Sequence, residues 1–113
     1  MKNTYTPPSI IDCFCLFEET QANQLFLSEP VNGVYQNFTW KSAGDEVRKM
    51  AAAIQAMGLQ KGDKVAILSK NCAYWIMADL AIMMAGCVSV PLYPNISTAT
   101  LQEILIHSDS KLV

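Results

Sequence analysis

The chain has 113 residues, enough for one modest domain with a real hydrophobic core. Apolar residues make up 51% of it and charged residues only 16%, with a formal net charge of −2, so no basic surface is available for nucleic-acid phosphates. In so small a domain the apolar surplus predicts surface that further chain, or another copy, covers.

Residues 1–9 read as a loose arm, because Pro7-Pro8 breaks regular structure. The opening stretch has one early lysine, is interrupted by Asp12 and runs straight into Glu18 and Glu19. It lacks the long apolar core and small-residue cleavage site of a signal peptide. Ser9 is placed to cap a helix from Ile10 to about Gln24, with Ile10, Cys13, Phe14 and Phe17 on one face. Leu25–Ser28 and Val34–Thr39 follow as short β-like runs, and Pro30 with the Asn32-Gly33 pair between them predicts a hairpin.

Thr39 caps the next helix, where Ala43, Val47, Met50, Ala51 and Ile54 recur at three- and four-residue spacing. Gly58 suits the left-handed position that closes it, letting Leu59 fold back onto Ile54. After a turn at Lys61-Gly62-Asp63, Val65–Leu68 is apolar at every position, the pattern of a central strand in a parallel sheet. Asn71 is expected to cap a helix over Ala73–Ala85 that Gly86 ends; Val88–Val90 is the next strand, stopped by Pro91. Ser97 then caps a helix over Thr98–His107, and Lys111–Val113 begins a third strand.

The fold class is therefore α/β: the start of a mainly parallel layered sheet with flanking helices, preceded by a hairpin. Residues 10–113 are read as part of a domain cut within its sheet, since a strand broken at its second or third residue is no domain boundary. Cys72–Leu92 is mostly apolar, but Asp79 would cost roughly 2.5–3.5 kcal/mol at a bilayer centre. Gly86 and Pro91 also split that run, so a buried segment of a soluble protein is expected rather than a membrane span.

Cys13, Cys15, Cys72 and Cys87 form no C-x-x-C pair and His107 is the only histidine, so no zinc site of ordinary spacing can be assembled. Four reduced, mostly buried thiols place the chain in the cytoplasm. Ligands of open α/β sheets bind beyond the carboxyl ends of the strands, here Ser69-Lys70-Asn71 and Leu92-Tyr93-Pro94-Asn95. The first of these turns has no glycine, so neither dinucleotide nor Walker-type phosphate cradle is present.

Each candidate carries a plain reading beside the functional one. Lys70 is an anion contact or a solvated turn lysine, and Asn71 a helix cap rather than a ligand. Tyr93 packs on the sheet edge by default and lines a pocket otherwise. Asp79 faces outward or is hydrogen-bonded, the alternative being a buried carboxylate of raised pKa. Met77, Met83 and Met84 fill core, and Trp40 and Trp75 anchor helices in the core or at a domain contact. Nothing in the sequence pairs a cysteine with His107 for nucleophilic catalysis.

Taken in order, FTW at 38–40, GLQKGDKVAIL at 58–68, SKN at 69–71 and AGCVSVPLYPNIS at 85–97 resemble the opening of adenylate-forming (AMP-binding) acyl-CoA synthetases. The resemblance covers roughly residues 10–113 and is most like the bacterial long-chain fatty acid–CoA ligases, a branch favoured by the PLYP wording. It implies that ATP and a carboxylate give an acyl-adenylate and pyrophosphate, after which the thiol of coenzyme A yields the thioester and AMP. Mg2+ would assist by neutralising phosphate charge.

The family's phosphate loop, adenine and ribose motifs and catalytic lysine lie downstream of the matched region. No catalytic, cofactor-binding or metal residue is therefore assigned in this chain, which is expected to be an inactive scaffold by itself. Its implied partners are fatty acid, ATP, coenzyme A and the remainder of the synthetase, with self-association as a further expectation. The alternative is a stand-alone α/β interaction or oligomerisation module without catalysis. A small doubly wound ligand-binding domain is disfavoured by the missing glycine-rich turn and the unfinished sheet.

Overall fold

The structure, a computed structural model, describes residues 9–113; the arm expected over residues 1–9 thus lies outside the described residues except for Ser9. Helix α1 (Ile10–Thr20) opens with a reciprocal cap: Ser9 Oγ accepts from the Asp12 N–H at 3.1 Å and the Asp12 carboxylate from the Ser9 N–H at 3.2 Å. It ends at Thr20, not near Gln24. Beyond it the carbonyls of Ala22 and Gln24 accept from the backbone N–H groups of Lys41 and Trp40, which tie this turn to the start of α2.

Strands β1 (Leu25–Val31) and β2 (Val34–Thr39) form the expected antiparallel hairpin, with a bulge near Phe26. Asn32 and Gly33 both have positive φ, 52° and 80°, as the two-residue turn matching strand twist requires. Here β1 runs further than Ser28 and takes in Pro30, which pairs with Tyr35; a two-stranded ribbon leaves an open edge where proline's missing N–H costs nothing.

Helix α2 (Trp40–Ala56) starts at the expected cap, Thr39 Oγ1 accepting from the Ser42 N–H at 3.0 Å. Ala43, Val47, Ala51 and Ile54 are buried at helical spacing, and Gly58 (φ 87°) closes the helix with Leu59 packed on the cluster containing Ile54. Gly44, on the buried face, is where α1 crosses: a Cβ there would collide with the Glu18 carboxylate, which forms an ion pair with Arg48. That hydrogen-bonded pair, more than Coulombic attraction, raises the Arg48 pKa. With the Arg48 side chain 48% exposed, the pair contributes only about 0–1 kcal/mol.

Strand β3 (Lys64–Leu68) is central, with order β4-β3-β5, and pairs parallel with both β4 (Val88–Leu92) and β5 (Ser110–Leu112). Val65, Ala66 and Ile67 are all buried, as the unbroken apolar run predicts. Helix α3 (Ala73–Met84) packs beside α2 over this sheet and places Met77 in the core with no exposure. Pro91 does not stop β4; it lies inside it, opposite Ile67, and is tolerated because β4 is an edge strand with one neighbour. Helix α4 (Thr98–Ser108), capped by Ser97, buries none of its residues.

The two ends of the sheet differ in finish. At the amino ends the Gly62 N–H donates to the Gly86 carbonyl at 2.8 Å and the Val88 N–H to the Asp63 carbonyl at 2.8 Å. The Asp63 carboxylate also accepts from the Gln60 N–H at 2.8 Å, which fixes the turn leading into β3. Among the described residues no such backbone bond links the two turns at the carboxyl end. The radius of gyration, 16.1 Å, exceeds the roughly 13 Å of a compact domain this long. Large apolar side chains including Ile10, Val34, Tyr35, Tyr93 and Ile106 stand well exposed. Among the described residues no helix is long and apolar enough to cross a membrane.

Candidate functional site

The parallel register Leu68↔Leu92 carries the chains leaving β3 and β4 side by side beyond the carboxyl edge. Between them lies a cleft of about 340 Å³ lined by Ser69, Lys70, Asn71, Trp75, Leu92, Tyr93 and the flanking Pro91 and Pro94. The two turns singled out from the sequence are thus brought together. Tyr93 is 79% exposed at the mouth, so it does not pack on the sheet edge as its default reading had it. Lys70 is exposed and pairs with no carboxylate among the described residues.

Asn71 does not cap α3. The N-cap is Cys72, whose side chain makes no capping bond. Ser69 Oγ donates to the Lys70 carbonyl at 3.0 Å and lies 4.0 Å from Cys72 Sγ, which shapes the turn internally. The acceptor that serves the first turn of α3 comes from elsewhere: Glu29 Oε1 on β1 takes the Ala73 N–H at 2.7 Å. Sequence reading missed this residue. Its signal was an acid inside a β run, coupled with a helix start carrying cysteine where Ser, Thr, Asp or Asn is preferred.

The other candidates scatter. Asp79 is half-buried beside an apolar groove between α1 and α3 that Cys13, Phe17 and Met83 also line. Met77 is core, and Met83 and Met84 pack against it from half-buried positions. Trp40 and Trp75 both pack on the core from half-buried positions, Trp40 through aromatic contacts, and Trp75 also forms a wall of the cleft. His107 is exposed in the last turn of α4, while the cysteines sit on α1, at the cap of α3 and just before β4.

Cys87 is 6% exposed, its thiol 3.7 Å from the Gln60 carbonyl, and burial followed by the nearby Asp63 charge pushes its pKa up. A raised thiol pKa favours the protonated folded form. The stability it lends is complete below the unfolded thiol value of about 8.5 and is lost as pH rises through the folded one. In the folded chain Cys87 should react with a disulfide reagent at least about ten-fold more slowly than Cys13, Cys15 and Cys72. Four equal rates, resolved by mass spectrometry, would contradict its burial.

The cleft does not fit a nucleoside triphosphate or Mg2+. One ammonium faces it, no glycine lets backbone approach a phosphate, and among the described residues no three His, Cys, Asp or Glu side chains converge on a metal position. What this edge supplies is a shaped wall: an aromatic face, an amide and one cation at the open end of a parallel sheet.

Comparison with known proteins adds relatives to this geometry. The family model described as "AMP-binding enzyme" matches residues 17–113. The long-chain-fatty-acid–CoA ligase FadD15 of Mycobacterium bovis is 31% identical over 80 residues, covering 71% of this chain and 13% of its own length. Fatty acyl-CoA synthetase A of Dictyostelium discoideum is 26% identical over 105 residues, covering 89% of this chain and 16% of its own length. Among solved structures, the fatty acid AMP ligase from Legionella pneumophila superposes with a TM-score of 0.82 at 27% identity, over 90% of this chain and 18% of that one. The chain thus spans less than a fifth of the length of each of these relatives.

Proposed function

The chain belongs to the AMP-binding enzyme family, and from that premise we propose that it is the first part of the N-terminal domain of an ATP-dependent long-chain fatty acid–CoA ligase. The observation that carries this reading is the match over residues 17–113, supported by relatives named as fatty acyl-CoA ligases and synthetases. In this reading the whole protein activates a fatty acid as its adenylate, with Mg2+ on the phosphates, and passes the acyl group to coenzyme A in the cytoplasm. The described residues are scaffold. They build three strands of a parallel sheet and leave apolar surface for the remainder of the synthetase to cover, and in this reading ATP and Mg2+ are held by that remainder.

Fatty-acid-dependent ATP–pyrophosphate exchange tests both halves of the proposal. A polypeptide continuing this reading frame through the rest of the synthetase should exchange label with a long-chain fatty acid and form acyl-CoA and AMP when coenzyme A is added. The 113-residue chain should give only the background of its buffer. Exchange by the short chain would overturn its role as scaffold, and a full-length protein inert toward every long-chain acid would overturn the ligase.

A further inference from the structure

The start of α3 lacks a cap of its own. Cys72 makes no capping bond, and the carboxylate that serves the first turn belongs to Glu29, 44 residues earlier on the hairpin. Glu29 is half-buried, and the groove it closes, about 450 Å³ between β1 and α3, shares Asn71 and Trp75 with the cleft at the carboxyl edge. An acid on the amino end of a helix meets both a free N–H and the positive end of the peptide dipoles. Two parts of the fold with no strand in common therefore share a polar contact next to the turn that forms the cleft wall, beside the edge-on packing of Phe38 on Tyr74.

We propose that Glu29 latches the hairpin to α3 and thereby couples the hairpin to the order of the Ser69–Asn71 turn. The base of the hairpin is anchored by Phe26 and Phe38, and its tip is the part that can act as such a lever. The hairpin forms a separate two-stranded sheet, and Val31, Val34 and Tyr35 near its tip are exposed. When the latch is made, the first turn of α3 is closed and Trp75 is fixed between groove and cleft. When it is released, the Ala73 N–H loses its side-chain acceptor and residues 69–75 lose that constraint on their backbone. The proposal does not depend on the catalytic class assigned above, since it concerns contacts within this chain.

Amide hydrogen exchange on the folded chain tests it. Glu29→Ala should raise exchange at residues 69–75 about five-fold, the effect of one lost cap, while Val65–Ile67 stay protected. Gly33→Val provides the remote arm. Gly33 has φ +80° with open space around its Cβ position, so valine strains the turn without touching α3. It should raise exchange over the same residues. A response to Glu29→Ala alone would reduce Glu29 to a local cap and overturn the coupling, as would no response to either. Should Glu29→Ala fail to fold, Glu29→Gln keeps an acceptor oxygen: a smaller rise confined to 69–75 supports the latch, and a uniform rise or none refutes it.

Discussion

Met77→Ala is expected to lower the stability of the folded chain by about 2–5 kcal/mol. Met77 has no exposed surface, lies on the face of α3 turned toward α2 and the sheet, and is one of the two largest side chains that are fully buried, Val47 being the other. Truncation removes about three heavy atoms' worth of apolar transfer and leaves a cavity walled by α2, α3 and β3, which are pinned by their own backbone bonds and collapse only in part. Against a total of about 5–15 kcal/mol for an ordinary domain, and an open one here, that loss is a large share. Urea unfolding followed by circular dichroism should show a lower midpoint at unchanged slope. Met77→Leu, close in volume, should cost less than about 1.5 kcal/mol. A Met77→Ala midpoint indistinguishable from the parent would mean that α3 is not closed on this core.

What the sequence disclosed follows the physics of each signal. Buried elements were legible because burial leaves a periodic record: Ala43, Val47, Ala51 and Ile54 mark one helical stripe, and Val65–Ile67 an unbroken strand. Caps were legible where the capping residue is local, as at Ser9, Thr39 and Ser97. The cap of α3 was not, because its acceptor is 44 residues away and no window along the chain contains both partners. The prolines misled for a related reason. Pro30 and Pro91 stop strands only where a neighbour needs their N–H, and whether a strand has such a neighbour is decided by sheet order. Past the end of α1, likewise, Ala22 and Gln24 bond to the backbone of Lys41 and Trp40, partners that lie well outside the helical window. At the candidate cleft, sequence located both turns from the rule that ligands meet strand carboxyl ends, but the exposure of Tyr93 is a fact of packing alone.

Trp40→Ala should cost about 3–5 kcal/mol, and it should unfold the chain in a different order from the Met77 variant. Trp40 is the residue through which α1 and the hairpin are held to α2. Its ring is stacked on Phe26 with centroids 4.1 Å apart and 21° between planes, with Phe17 at 5.2 Å and Phe14 at 5.9 Å. These partners come from α1 and β1, so one side chain at the start of α2 joins three elements. Aromatic pairs add about 0.5–1.5 kcal/mol each beyond the area they bury, and Trp40 takes part in three of them. Its removal leaves α1 with the half-exposed Glu18–Arg48 ion pair and the remaining contacts of Ile11 and Phe14, which should hold a helix of 11 residues, marginal by itself, only weakly. Amide exchange should therefore collapse first over residues 10–20 and 25–31, while Val65–Ile67 keep their protection until global unfolding. Met77→Ala, by contrast, should weaken α2, α3 and β3 together. Trp40→Phe, which keeps a ring in the stack, should recover about half of the loss. Uniform loss of protection in Trp40→Ala would show that α1 and the hairpin unfold as one unit with the sheet.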